Sequence, residues 1–517
     1  MLNRRQAVSI MGASLAVAGG AVAAPAGPLA DLALLLPSAS QNGLGLKLWT
    51  TTPQADAPRV TIDGAHVQAR PLGSRGRVWR YAQGGLAPGR AYRLAVEDAS
   101  GRAMRAPWTL KTLPAPGQPV DRVRLLIFSC AGGDETYGLT PGRTGFLAMA
   151  VRRALLDRAL SFTPDLAIVV GDHVYWDQDS SQLRAPAAAA AIRTFQAGIA
   201  PIEKGSVALS AANAASVETI VERQIATLYG DRLAETPTLF IADDHDYFEN
   251  DQAGTWGATF PPDPFHASLQ KLSADLAYPH PLNRPSVGMF RSARSLERLR
   301  YGDLLELLAY DCRFDVRQGK DARFLSGPVE AFVRARTREN GAAQLIHAPS
   351  TPFGWTAGKW GEWYEDRGRG QGNFGDDKDY WQAGWFEQHQ RLMWALSLDQ
   401  SRAAIAISGD LHASAAARMM ASGDLDLSAN PVHTVLPGAL GTGDGGWPSV
   451  ARGEFPWTPA RLRTEPLAAL EERNGFAIVD VEREQVTVQL FCWRPPEPVD
   501  AIATLEPRAR VVIEAAG

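Results

Sequence analysis

The sequence predicts an α/β body preceded by a small all-β unit. Three observations carry that prediction. From Val123 onward, short apolar runs alternate with helical stretches, and each run ends in polar or reactive residues. Runs of that kind fit strands buried on both faces of a layered α/β fold. Between Leu44 and Leu113 the segments are short, strand-like and separated by turn residues. At 517 residues the chain is also too long for one ordinary core.

Composition narrows the class. Apolar residues make up 45% and charged residues 21% of the chain, as in globular proteins. The formal charge of −4 gives no bulk attraction to nucleic acid, and no specific nucleic acid binding is expected. Cys130, Cys312 and Cys492 are an odd set, which excludes a scaffold built on disulfides. Residues 1–24, "MLNRRQAVSIMGASLAVAGGAVAA", place Arg4-Arg5 before an apolar, small-residue stretch ending in "AVA". That is the pattern of a bacterial signal peptide of the twin-arginine type, with an uncleaved anchor helix as the other reading. It implies recognition by the twin-arginine export machinery and a periplasmic or secreted destination. No later apolar run reaches the roughly 18 residues of a membrane span, so no stable membrane anchor is expected.

In chain order, "LGLKLWTT", "RVTIDG", "RVWRYA", "AYRLAVEDASG" and "PWTLKTLP" read as strands of a β-sandwich over 40–115. "LAPGRAYRLAVEDASG", Leu86–Gly101, resembles a fibronectin type III repeat. "LPAPGQPV", Leu113–Val120, is a Pro-rich linker. Over 120–515 the buried-strand candidates are "VRLLIFSC", "LAIVVGD", "TLFIADDHD", "LLELLAYDCR", "AQLIHAPST" and "AAIAISGDLH". Helical stretches fall at Gly145–Leu160 and Ser216–Leu228, and an Ala-rich helical insertion at Ala185–Ile192. "GFAIVDVEREQVTVQLFCW", Gly475–Trp493, reads as two strands joined by a turn that complete the second sheet.

The chemistry gathers where these strands end. Cys130 follows the first, Asp172 and Tyr175 the second, Asp243, Asp244 and His245 the third, Asp410 and His412 the last. A lone strand-end Asp is more often a turn or cap residue. The repeated order is different, because it sets carboxylates and imidazole along one edge, where layered α/β folds bind ligands. Bare carboxylates crowded there repel one another, and a divalent or trivalent cation removes the conflict. Carboxylate with imidazole suits Fe, Mn or Zn; carboxylate alone suits Ca or Mg.

"FSC" at Phe128–Cys130, "GDHVYWD" at Gly171–Asp177, "ADDHDYFEND" at Ala242–Asp251 and "SGDLH" at Ser408–His412 resemble, in order, the motifs of the alkaline phosphatase D (PhoD-like) metallophosphoesterases. "LAYDCRF", Leu308–Phe314, looks like the family's Asp-x-Arg strand, and "DYWQAGWFEQHQRLM", Asp379–Met393, like its Asp-x-Trp-x-Gly helix entry. The resemblance implies a four-layer α/β/β/α sandwich behind an N-terminal fibronectin-III-like domain. It implies Cys130 and Tyr175 on Fe(III), Asp172 bridging to a second metal, Ca(II), His412 on the iron side, and Asp244 and Asp410 at the second site. Mn, Zn or Mg are alternatives. Asp243 and Asn250 are weaker ligand candidates. His245 is expected on the phosphoryl oxygens, with Arg313 steadying charge or serving as a structural ion pair. Three departures stand out: Ala242 replaces the usual Trp, Asp246 stands where Glu is common, and His173 and Trp176 are unusual.

The implied function is hydrolysis of phosphate mono- or diesters, small phosphoesters being the substrate class, by attack of a metal-activated hydroxide in line with the leaving group. A phospholipase-like phosphodiesterase with the same centre, and a non-catalytic secreted protein whose metals only hold loops, are the rival readings. The Trp-rich segment Phe353–Trp385 reads either as a substrate wall over the site or as a loop pinned to the core. The remaining histidines, His66, His266, His280, His347, His389 and His433, match no motif.

Overall fold

The computed structural model describes residues 31–135, 143–177, 201–248, 262–287, 294–339, 341–359, 361–366 and 381–514. The signal-peptide reading, the Ala-rich insertion and Asn250 lie outside them. Eight strands come first: β1 (Leu32–Ser40), β2 (Gly43–Thr50), β3 (Arg59–Ile62), β4 (Ala65–Val67), β5 (Ala69–Leu72), β6 (Val78–Gly84), β7 (Ala91–Glu97) and β8 (Trp108–Lys111). They form two four-stranded sheets, β1-β2-β6-β5 and β4-β3-β7-β8, every pairing antiparallel. Leu46, Leu48 and Tyr81 of one sheet share a hydrophobic cluster with Val60, Ile62, Leu94 and Val96 of the other. The first sheet starts at Leu32, ahead of the start expected near residue 40. Pro37 sits in β1, an edge strand, where a missing N–H breaks no ladder.

Two larger sheets carry the rest. The first has the order β11-β10-β9-β20-β21-β22, from β9 (Arg122–Phe128), β10 (Leu166–Val170), β11 (Thr238–Ile241), β20 (Asn474–Glu482), β21 (Gln485–Trp493) and β22 (Ala509–Glu514). The second has the order β12-β13-β14-β15-β18-β16-β17, with β19 paired to β16. Its strands are β12 (Leu296–Tyr301), β13 (Leu305–Tyr310), β14 (Gln344–Pro349), β15 (Ala404–Ile407), β16 (Ser414–Ser422), β17 (Leu425–Asp426), β18 (Val432–Pro437) and β19 (Leu462–Glu471). Side chains alternate between faces of a strand, and the apolar runs use both. Leu125 and Ile127 of β9 meet Leu307, Ile346 and Ile405 between the sheets. Leu126 and Phe128 turn outward to helices α1 (Met149–Leu160), α2 (Ala211–Val221) and α3 (Pro264–Ala277). Leu308 and Ala406 turn outward to α4 (Gly327–Arg338) and α5 (Ala383–Ser397). The layers are therefore helix, sheet, sheet, helix, the α/β/β/α sandwich expected.

Two expectations need correction. Gly475–Trp493 extends the first large sheet, not the second: β20 pairs with the free side of β9, Ala477 opposite Ile127 and Val479 opposite Leu125. The helix expected over Gly145–Leu160 starts at Met149, because Phe146 is held in a bridge to Thr442.

Candidate metal centre

β9, β10 and β11 are parallel neighbours, as are β13, β14 and β15. Their carboxyl ends therefore open on one edge, and both sheets deliver loops to it. The approach is tight. A Cβ on Gly409 would lie 2.4 Å from the Val170 carbonyl oxygen, and one on Gly171 (φ 78°) 2.6 Å from the Asp243 Cβ. This is why Asp172 and Asp410 are each preceded by Gly. The reactive residues sit in conformations that side chains rarely adopt: φ is 47° at Cys130, 59° at Asp172, 52° at Asp177, 73° at Asp410 and 52° at His412. Such strain collects at functional sites.

Asp172 lies at the middle. Cys130 Sγ is 3.3 Å and Tyr175 Oη 2.9 Å from its Oδ2, and Tyr175 Oη is 3.1 Å from His412 Nε2. His412 Nδ1 donates to the Gly446 carbonyl at 2.8 Å, so the Nε2 lone pair is the one turned to this group. Thiol, phenol, imidazole and carboxylate thus converge on one side. On the other, one carboxylate oxygen each from Asp172, Asp243, Asp244 and Asp410 lie within 4.8 Å of one another. All four residues are buried. Burial, with Asp244 next to it, pushes the Asp172 carboxyl well above the usual range. Burial raises Asp243 likewise, although the Arg313 guanidinium opposes it. Burial also raises the Cys130 thiol and the Tyr175 phenol and holds His412 down at about 4.

A metal fits these residues. Asp172 Oδ1, Asp243 Oδ2 and Asp410 Oδ2 are buried and accept no hydrogen bond among the described residues, although the Arg313 guanidinium lies 3.6 Å from Asp410 Oδ2. Carboxylates left so are costly unless a cation takes them up. The mixed donor set on the Cys130 side suits a transition metal, and the all-carboxylate side a harder ion.

Several residues around the centre have no role assigned from the sequence, where Asp246 stands out only as a departure. Asp177, fully buried, accepts from His245 Nδ1 at 2.7 Å. Burial works against a charged His245, yet Asp177, Asp244 and Asp172 together raise it to about 10. Asp246 accepts from the backbone N–H groups of Asp172, His173, Val174 and Asp243 and from the Tyr278 hydroxyl. One carboxylate thereby ties the ends of β10 and β11 together. Gln224 sits in a π-helical turn, Glu222–Ala226, accepts from the N–H groups of Tyr175 and Gly133, and donates to the Tyr175 carbonyl. Such turns often mark functional sites. Lys359 donates to Asp410 and, at 3.2 Å, to Asp244.

The other expected residues separate clearly. Arg313 Nε bonds Asp243 Oδ1 at 2.7 Å, and its Nη1 bonds the Gly361 carbonyl at 2.5 Å. It holds Asp243 and the following loop, and its Nη2 lies 3.6 Å from Asp410 Oδ2. His173 stacks on Phe240 with centroids 4.1 Å apart and donates Nε2 to the Ile241 carbonyl, so it points away from the centre. In the Trp-rich segment, Trp355, Trp363 and Trp385 are buried. The described part of that segment is pinned to the core, and its contribution to the site is Lys359.

No family model and no curated protein matches the sequence. Solved structures do match the fold. The structure of PhoD aligns with a TM-score of 0.60 at 13% identity, covering 95% of this chain and 92% of that one. Purple acid phosphatase PPD1 from yellow lupin (Lupinus luteus) seeds aligns with a TM-score of 0.51 at 13% identity, covering 93% of this chain and 74% of that one. The α/β fold expected from the sequence, PhoD-like, is the fold the chain has.

Proposed function

We propose that the chain is an exported, metal-dependent phosphoesterase that hydrolyses small phosphate mono- or diesters. One observation carries the reading: Asp172 stands between a Cys130–Tyr175–His412 group and an Asp243–Asp244–Asp410 group, in a fold shared with PhoD and a purple acid phosphatase. Fe(III) suits the first group and Ca(II) the second, with Mn, Zn or Mg as alternatives. A metal bound there supplies Lewis acidity and a nucleophile active at neutral pH.

The protein's own groups do the remaining work. Phosphoryl transfer needs neutralised equatorial oxygens and an aligned leaving group. Asp177 fixes His245 Nδ1, which leaves Nε2 to meet a phosphoryl oxygen or protonate the leaving oxygen. Lys359 adds a second positive charge beside Asp244 and Asp410. Arg313 and Asp246 keep the carboxylates aimed without touching substrate.

Parallel assays with p-nitrophenyl phosphate and bis-p-nitrophenyl phosphate, alongside metal analysis, test the reading. Turnover of either supports it, and the ratio assigns monoester or diester preference. A metal-loaded protein that cleaves neither favours the binding-protein alternative. Export rests on Arg4-Arg5: Arg4→Lys with Arg5→Lys should leave precursor in the cytoplasm, and an unchanged periplasmic yield would remove the twin-arginine element.

A further inference from the structure

Away from the metal centre, three cations stand in one row across the N-terminal sheet. Arg70 of β5 is directly opposite Arg80 of β6, and Arg80 is directly opposite Lys47 of β2. Directly opposite residues of an antiparallel pair share a face, and like charges there destabilise the sheet. Nothing acidic on the sheet interrupts the row. Arg70 and Arg80 form no ion pair among the described residues, and Lys47, only 3% exposed, donates to the Asp275 carbonyl in the last turn of α3.

Arg80 and Lys47 line a cavity of about 220 Å³ between this sheet and the α/β body, with Arg70 at the exposed end of the row outside its wall. Arg284, Arg294, His280 and Tyr278 also line it. Arg284 is paired with Glu297, and Arg294 donates to Gln270. Asp275 is shared with Lys271. His280 Nδ1 is buried and has no hydrogen-bond partner among the described residues.

We infer that this cavity is a binding site for a small tetrahedral oxyanion of the phosphate class, held chiefly by Arg80 and Lys47. The ligand would neutralise a cationic row that, among the described residues, only Asp275 offsets, while the other lining carboxylates, Glu297 and Asp311, are bonded to Arg284 and Tyr247. Guanidinium forks suit phosphate oxygens bidentately, and a buried ammonium adds a point charge. The surrounding groups register the same field. Burial, then Arg80, Lys47, Arg284 and Arg70 push His280 down to about 4. Burial brings Lys47 to about 7, Asp275 opposing and Arg80 adding to the fall.

The site backs onto the metal centre along the end of β11, where Ala242 and Tyr278 both line it. Tyr278 lines the cavity, and its hydroxyl donates to Asp246, the carboxylate that ties together the β10 and β11 ends. An anion seated here would brace the N-terminal sheet against α3 and that tyrosine. Phosphate is also what the proposed reaction releases from monoesters, so the assignment deepens that reading without depending on it.

Thermal unfolding of the metal-loaded protein in inorganic phosphate, sulfate and chloride at matched ionic strength tests the site. A ligand that binds only the folded state raises the melting temperature with concentration. Phosphate should raise it by a few degrees beyond chloride, and sulfate shows whether any tetrahedral anion suffices. Arg80→Gln should cut the extra rise to the part due to phosphate at the metal centre and Arg80→Lys should lose less of it, with competitive inhibition of ester hydrolysis by phosphate unchanged. Exposed Arg70→Gln should weaken it and serves as the second variant if Arg80→Gln folds poorly. The same phosphate-dependent rise in Arg80→Gln as in the parent would place the anion at the metal centre alone and overturn the assignment, as would no rise in the parent. The melting arm reads out even if no ester is cleaved, so failure of this site and failure of the phosphoesterase reading are distinguishable.

Discussion

Tyr175 Oη lies 2.9 Å from Asp172 Oδ2, although the two residues are only three apart in the chain. Gly171 and Asp172 both take positive φ, which turns the chain so sharply that both side chains face the same space. Val174, between them, goes into the core instead. A strand that ends on groups so costly to bury brings them to one space, where the carboxylates could hold a metal ion.

That relationship gives the first prediction. Phenolate or thiolate bound to Fe(III) absorbs visible light through charge transfer, so iron-loaded protein should be coloured. Tyr175→Phe should shift or bleach the band, while the far-ultraviolet circular dichroism stays as in the parent. Identical visible spectra for the two iron-loaded proteins would remove Tyr175 from the ligand set and leave the phosphoesterase proposal standing.

Asp177 carries the second. It is buried, held at positive φ, and bonded to His245 Nδ1. Asp177→Asn keeps an oxygen for that bond and removes the charge. A positioned acid or base contributes about 10²–10⁴ in rate, so kcat should fall on the order of 10² with KM and metal content little changed. A parent-like kcat would make Asp177 a packing residue only.

Lys359 carries the third. It reaches Asp244 and Asp410 from a loop secured by Glu362, which bonds Thr356 and the Ala357 N–H. Lys359→Met removes a charge placed where negative charge builds up during phosphoryl transfer. A loss of about 10² in kcat is expected, the scale of deleting one electrostatic stabiliser. Activity of the variant should also depend more steeply on added divalent cation, because Asp244 and Asp410 would no longer have the tethered one. A metal titration curve that superimposes on the parent's would show that the ammonium neither shares the second site nor serves turnover.

Much of this was legible in the sequence, for physical reasons. Each of the six apolar runs from "VRLLIFSC" to "AAIAISGDLH" is a strand, because strands buried on both faces must be apolar throughout. The Gly-Asp pairs announce converging strand ends, because no Cβ fits at Gly171 or Gly409. What stayed hidden depends on pairing across distance. β20 reads as a strand, but nothing in its own residues says that its partner is β9. β16 and β19 are half-exposed in places and keep irregular register, so their periodicity is weak. Asp246, Asp177 and Gln224 are ordinary polar residues until the backbone groups and rings they hold are beside them. Lys359 is a single lysine among tryptophans and glycines, and only the fold brings it to carboxylates from two different strand ends.

The last prediction concerns stability in acid. Glu306 of β13 is buried, its side chain 1% exposed, and lies among three arginines. Arg298 and Arg336 bond Oε1, each at 2.9 Å; Arg300 and Arg336 bond Oε2 at 2.8 and 2.9 Å. Burial alone would raise this carboxyl, but Arg336 and Arg298 overcome it and bring it from 4.5 to about 2. A carboxyl lowered by folding stabilises the native state above its unfolded value and loses that stabilisation as pH falls toward its folded value. The window is therefore from about pH 4.5 down to about pH 2, and the contribution is on the order of 3 kcal/mol at neutral pH. Glu306→Gln should lower the denaturant midpoint at neutral pH, with the gap to the parent closing across that window. Acid will also release metal, but it does so in both proteins, so the gap isolates Glu306. A gap that persists unchanged down to about pH 2 would show that the arginines hold the carboxyl by shape and hydrogen bonding alone, and that folding does not shift its proton affinity.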